Sequence, residues 1–167
     1  MADTVTNGVA DSGLGFKYEI PPTGRWTFAF DGLYTGPNGS KFLTAGNATL
    51  TGNLDASFSM SPATSVGTTI AVSSTGGYVN QLHARYGVTT PSFVLTTQIA
   101  HHYQVYAEYV FVSKVAPNRG GRAFTDLGIQ KLLGTRTEID VEYGHTFTGI
   151  PALRFNYIGA GLVVQFR

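Results

Sequence analysis

Thr49-Leu50-Thr51-Gly52-Asn53-Leu54-Asp55-Ala56-Ser57-Phe58-Ser59-Met60 decides the fold class. Its even positions are apolar or small: Leu50, Gly52, Leu54, Ala56, Phe58 and Met60. Its odd positions, Thr49, Thr51, Asn53, Asp55, Ser57 and Ser59, are all polar. Strict alternation is the period of a strand with one greasy and one wet face, whereas a helix would mix the two sets.

The same split recurs outward from this stretch. Upstream, Leu14, Phe16, Tyr18 and Ile20 oppose Gly15, Lys17 and Glu19, and Trp26, Phe28 and Phe30 oppose Thr27, Ala29 and Asp31. Downstream, Val66, Ile70 and Val72 oppose Ser65, Gly67, Thr69 and Ser73. Leu82, Ala84, Tyr86 and Val88 oppose Gln81, His83, Arg85 and Gly87, and Phe93, Leu95 and Ile99 oppose Thr96 and Gln98. Val105, Ala107, Tyr109 and Phe111 oppose Gln104, Tyr106 and Glu108. Leu127 and Ile129 oppose Asp126, Gly128 and Gln130. Ile139, Val141, Tyr143 and Phe147 oppose Glu138, Asp140, Glu142 and Gly144. Ile158, Ala160, Leu162, Val164 and Phe166 oppose Tyr157, Gly159, Gly161 and Gln165.

Turn chemistry separates these runs. Pro21-Pro22-Thr23-Gly24, Ser61-Pro62-Ala63, His101-His102 and Gly134-Thr135 read as tight turns. The stretches 36–40, 116–121 and 148–151 read as longer loops. The chain of 167 residues has no linker or shift in composition, so residues 1–167 form one domain.

Composition excludes other classes. Charged residues are only 13% of the chain, well short of what disorder needs, and there are 20 Tyr and Phe residues together. With no Cys, a disulfide scaffold is excluded, and an export route is suited. The net charge of +1 has no basic block behind it, which argues against nucleic acid. No run of apolar residues is long enough for a transmembrane helix. Met1-Ala2-Asp3-Thr4 lacks the regions of a signal peptide, so an exported chain is expected to have lost its leader, with Met1 an added start.

Alternating strands suit either a soluble barrel or sandwich, apolar inside, or a membrane barrel, apolar outside. The charges favour the second. Eight of the 10 acids fall on the polar faces: Glu19, Asp31, Asp55, Glu108, Asp126, Glu138, Asp140 and Glu142. Lys17 and Arg85 join them, while the other basic residues sit in turns, loops and strand ends. A soluble surface mixes Lys with Glu along its strands; faces of Thr, Ser, Asn, Gly and Asp read as a confined wet interior. Trp26, Tyr34, Phe42, Tyr78, Tyr103, Phe147 and Phe155 lie near strand ends, where interfacial girdles form. Gly161, Val164 and Phe166 in the last strand are spaced like the C-terminal signal read by the outer-membrane assembly machinery.

Several segments resemble a bacterial outer-membrane family, the transporters associated with the meta-cleavage (phenol degradation) pathway. Gly13-Leu14-Gly15-Phe16-Lys17-Tyr18, a Pro-rich turn and Leu33-Tyr34-Thr35-Gly36-Pro37-Asn38-Gly39 are similar to its first conserved region. Val105-Tyr106-Ala107-Glu108-Tyr109, the hairpin from Asp126-Leu127-Gly128 to Gly144, and Gly159-Ala160-Gly161-Leu162 with Phe166 are similar to its later ones. The likeness runs over residues 13–167, with a gap near 75–92. Functional-amyloid export pores have a similar barrel. The resemblance implies an outer-membrane transporter and carries no catalytic residue. Members of the family are longer and begin with strands not found in this sequence.

The expected fold is therefore all-β, an antiparallel up-and-down transmembrane β-barrel of about ten strands, or twelve if an N-terminal part precedes residue 1. Strands are expected at 13–20, 92–100, 103–113, 123–132, 137–147 and 155–167. The apolar phase flips between Val88 and Phe93. Residues 80–100 are thus two strands or, as favoured here, one long strand with a bulge, residues 3–10 then supplying the tenth.

Glu138, Asp140, Glu142, Asp126, Glu108, Arg85 and Lys17 are the residues expected to set what passes through the lumen. Two readings stay open: a cation-preferring channel for small solutes, or a closed structural or assembly barrel plugged by ion pairs. A soluble barrel binding an apolar ligand is the third. His83, His101, His102 and His145 lack metal-ligand spacing, and no nucleophile motif occurs. No enzyme, cofactor or metal is expected. The expected partners are the lipid bilayer with lipopolysaccharide, the assembly machinery and an unidentified small solute, at the outer membrane.

Overall fold

The computed structural model describes residues 9–40, 46–79, 82–147 and 154–164. Its strands are β1 (Gly13–Thr23), β2 (Trp26–Thr35), β3 (Thr49–Ser59), β4 (Thr64–Val79), β5 (Leu82–Ala100), β6 (Tyr103–Val112), β7 (Arg122–Leu133), β8 (Thr137–Phe147) and β9 (Asn156–Val164). They form one sheet in which each strand pairs antiparallel with the next along the chain. The described strands number nine rather than the expected ten or twelve. Consequently β1 and β9 are the two ends of the sheet and run in the same direction. Residues 3–8, Phe42 and Phe166, which entered the expectations above, lie outside the described residues, as does the side chain of Tyr78.

Apart from the β4–β5 hairpin, the connections alternate in length. At one end the turns are short: 24–25, 60–63, 101–102 and 134–136. Gly24, His102 and Gly134 each adopt a left-handed backbone there, with φ of 61°, 69° and 76°. At the other end are the long connections 36–48, 113–121 and 148–155 and the tip of the β4–β5 hairpin. Pro21 and Pro22 do not make the first turn. They lie in β1, where the pairing with β2 shifts between Ile20 and Thr23, and the turn itself is Gly24-Arg25. An end strand tolerates residues that lack an N–H.

The side chains divide as the alternation requires. Apolar positions face outward and stay exposed: Leu54 is 65% exposed, Ile158 80% and Leu162 65%. Among the described residues the buried apolar ones are Ala29, Val88 and Val110. There is no dry apolar centre among the described residues. The chain exposes 11492 Å², against about 8,000 Å² for a soluble monomer of this mass by size scaling. The polar face is the crowded one, because side chains on it meet across an intervening strand: Lys17 of β1 reaches Asp55 of β3, and Tyr106 of β6 reaches Glu142 of β8.

β4 and β5 are the longest strands, and their register is continuous from Thr64↔Thr97 to Val79↔Leu82. Residues 82–100 are therefore one strand with no bulge between Val88 and Phe93, and its pairing with β6 shifts only between Gln98 and Ala100. The flip in apolar phase has a different cause. Val94 and Thr96 share the crowded face with Val88, which is buried there, whereas Phe93 and Leu95 face outward with Gly87 and Thr89. Near its upper end the strand thus turns apolar residues inward and small or polar ones outward, as a soluble protein does. β3 accompanies β4 no further than Leu50↔Ser74, with the Thr49 and Thr75 hydroxyls 3.1 Å apart just beyond. Past that point β4 and β5 continue as a two-stranded ribbon.

Candidate functional site

The polar face collects the acids. Register places Glu19, Asp31, Asp55, Glu108, Asp126, Glu138, Asp140 and Glu142 on it, with Lys17. Arg85, expected beside them, lies on the opposite face. It pairs with Gly76 on the outward parity of β5, and its guanidinium donates to the Ala48 carbonyl at 2.8 Å. The cation that sequence reasoning missed on the polar face is Arg122, at the long-loop end of β7 opposite Val112.

Across β1 to β4 the acids meet short neutral partners. Asn53 donates to Asp31 at 2.6 Å, and Thr69 donates to Asp55 at 2.6 Å. The Lys17 ammonium stands 3.4 Å from the Asp55 carboxylate, with the lysine side chain 62% exposed. These small groups leave a cavity of about 420 Å³ lined by Lys17, Glu19, Thr27, Asp55, Ser57 and Thr69 among others.

Across β6 to β9 the face is built from tyrosines and glycines. Tyr106 is directly opposite Gly128, and Tyr157 opposite Gly144. Each ring lies flat over its glycine, and any Cβ on Gly128 or Gly144 would overlap it. A glycine is required at both positions by this close approach. Lying down carries each phenol one strand further: Tyr106 donates to Glu142 at 2.8 Å, and Tyr157 donates to Asp126. Asp126 is 5% exposed, so this bond satisfies a carboxylate largely removed from water. Toward the short turns, Gln104 donates to Gln130 at 2.7 Å and Gln130 to Glu138 at 3.1 Å. Glu142 and Asp140 lean over Gly159 and Gly161 of β9. Gly161, read from sequence as part of an assembly signal, thus also makes room for the Asp140 carboxylate, while Val164 ends β9 exposed.

Of the expected site residues, Glu108, Asp126, Glu138, Asp140 and Glu142 share one half of the face, and Lys17 belongs to the other. The tyrosines were the missed partners. Their signal was present, since Tyr106 and Tyr157 break the polar parity with a ring and face a glycine once the strands are paired.

His102 lines a small cavity with Gln130 and Glu138, and the side chain of His83 lies outside the described residues. His145 has the outward parity, with Nδ1 2.5 Å from Asn156 Oδ1, and His101 and His102 form the β5–β6 turn. Strand-end aromatics cluster on the outward side. Trp26 stacks on Phe28 with centroids 5.8 Å apart and packs on Phe58 at 4.8 Å, and Lys131 lies over the Tyr103 ring at 5.1 Å.

No protein-family model, curated protein or solved structure matches the chain.

Proposed function

We propose that the sheet curls into an outer-membrane β-barrel that forms a small channel for polar or cationic solutes. The observation that carries this reading is the inverted distribution of side chains. Large apolar residues stand exposed on one face of every strand, and eight carboxylates crowd the other. An exposed apolar surface that extends over a whole sheet marks contact with lipid or another apolar phase. Short turns at one end and long loops at the other fit the same architecture. A transport role is also what the resemblance to the meta-cleavage transporter family implies.

In this reading the acids set cation preference, because fixed charge lining a narrow bore raises the local concentration of counter-ions. The path runs along the β1–β4 half, where hydroxyls and short amides leave space. The second reading, a closed structural barrel, is favoured by one feature: Tyr106 and Tyr157 lie across the other half and bond to its carboxylates.

Reconstitution in planar bilayers separates the two. The channel reading expects single-channel conductance with a cation-selective reversal potential, moved toward zero by Asp31→Asn/Asp55→Asn beside the path and, to a lesser extent, by Glu138→Gln/Asp140→Asn/Glu142→Gln on the covered half. Heat-modifiable gel migration without conductance selects the closed barrel. A monodisperse protein without detergent removes both.

A further inference from the structure

We propose that the long-loop end of the polar face holds a binding site for a phosphate group, independent of whether the barrel conducts. Lys114, Arg119 and Arg122 line one cavity of about 350 Å³, walled by Val88, Val112, Val115 and Ala116. Three positive side chains around one cavity repel each other unless an anion sits between them.

The cavity is built rather than incidental. Its loop folds back as a small hairpin, with the Val115 amide donating to the Gly120 carbonyl at 3.3 Å and the Arg119 amide to the Ala116 carbonyl at 3.1 Å. Its base is tied to β5 by a reciprocal pair: the Ser113 amide donates to the Thr89 carbonyl at 2.9 Å, and the Thr89 amide to the Ser113 hydroxyl at 2.8 Å. Register fixes Arg122 beside Val112.

Arg122 is the observation that points to a ligand. Its Nε is removed from water and has no hydrogen-bond partner among the described residues. Its guanidinium carbon lies 6.0 Å from the centroid of the Phe124 ring, a contact that satisfies no N–H. Buried N–H donors in folded proteins have partners, and the guanidinium fork matches a tetrahedral oxyanion.

The carboxylates on the same strands do not reach it. Glu108 and Asp126 are four residues from Val112 and Arg122 along β6 and β7, about 14 Å at strand rise. Val110 and Phe124 form the layer between. From mouth to middle this face of β6 and β7 is therefore basic, then apolar, then acidic. The apolar walls of the cavity suit a phosphate carried on an amphiphile, and the same cations would take free phosphate.

The test uses the full chain folded in a non-ionic detergent and in phosphatidylcholine vesicles. Inorganic phosphate is titrated by calorimetry in the first. Spin-labelled phosphatidylglycerol is compared with spin-labelled phosphatidylcholine in the second. Phosphate binding in detergent identifies a soluble source, and preference for the anionic lipid identifies a headgroup. In either case Arg122→Gln is expected to weaken binding about tenfold or more, as loss of a charge-assisted hydrogen bond does. Arg119→Gln, on the exposed turn, shifts it in the same direction without touching a strand, so the test stands even if Arg122→Gln fails to fold. Lys131→Gln, at the other end of β7, leaves it unchanged. Absence of binding in both arms, or binding that both arginine variants retain, overturns the proposal.

Discussion

The two halves of the polar face solve the same problem differently. Both hold carboxylates that must find donors. Across β1–β4 the donors are short, Asn53 and Thr69, with Lys17 at the edge, and space remains between them. Across β6–β9 Gln130 serves Glu138 near the short turns, but the donors to Glu142 and Asp126 are two tyrosines that reach over glycines, so the rings occupy what the glycines vacate. The difference teaches that a row of acids does not by itself specify an open bore. The length of the donor decides whether the charge faces solvent or faces a ring.

Removing the rings should have the largest effect on that contrast. Tyr106→Ala/Tyr157→Ala is expected to raise single-channel conductance several-fold, whereas Ser57→Trp/Ser65→Trp on the other half should nearly abolish it. Equal responses from the two halves would erase the distinction. Next comes packing. Gly128→Val or Gly144→Val forces a ring off its seat and should destabilise folding by about 1–3 kcal/mol, the usual cost of overpacking, read from a urea transition in detergent. Gly52→Val faces open space on the outward side of β3, and should stay within about 0.5 kcal/mol of the parent, as surface changes do.

The bonds themselves rank third. Tyr157→Phe strips a buried carboxylate of its donor and should cost about 1.5–3 kcal/mol. Lys17→Met removes a largely exposed ion pair and should cost at most about 1 kcal/mol, while sharpening cation preference in the reversal potential. A larger loss from Lys17 than from Tyr157 would invert the ranking of the halves. The smallest change lies at the short turns. His102→Gly relieves a left-handed non-glycine backbone and should stabilise by up to about 1 kcal/mol, visible as a later urea midpoint.

Much of this architecture was legible in residue order. The alternation of Thr49–Met60 assigns every side chain of β3 to a face, and pairing with its neighbours follows that assignment. What alternation cannot say is which way a face looks. Leu82 to Val88 alternate as cleanly as any strand, yet Val88 points inward and Arg85 outward, because the upper part of β5 no longer shares the surroundings of its lower part. The Tyr106–Glu142 and Tyr157–Asp126 bonds were hidden for another reason. Each joins strands that are not neighbours in sequence order, so neither spacing nor composition reveals it before register is known. Arg122 looked like one more strand-end cation until Val112 was set beside it.

The nine described strands leave β1 and β9 pointing the same way. Should these two margins zip together, they would do so through slanted, parallel hydrogen bonds, slightly weaker per residue than every other junction in the sheet. That seam, rather than the mouth, is where such a cylinder would part sideways into the lipid.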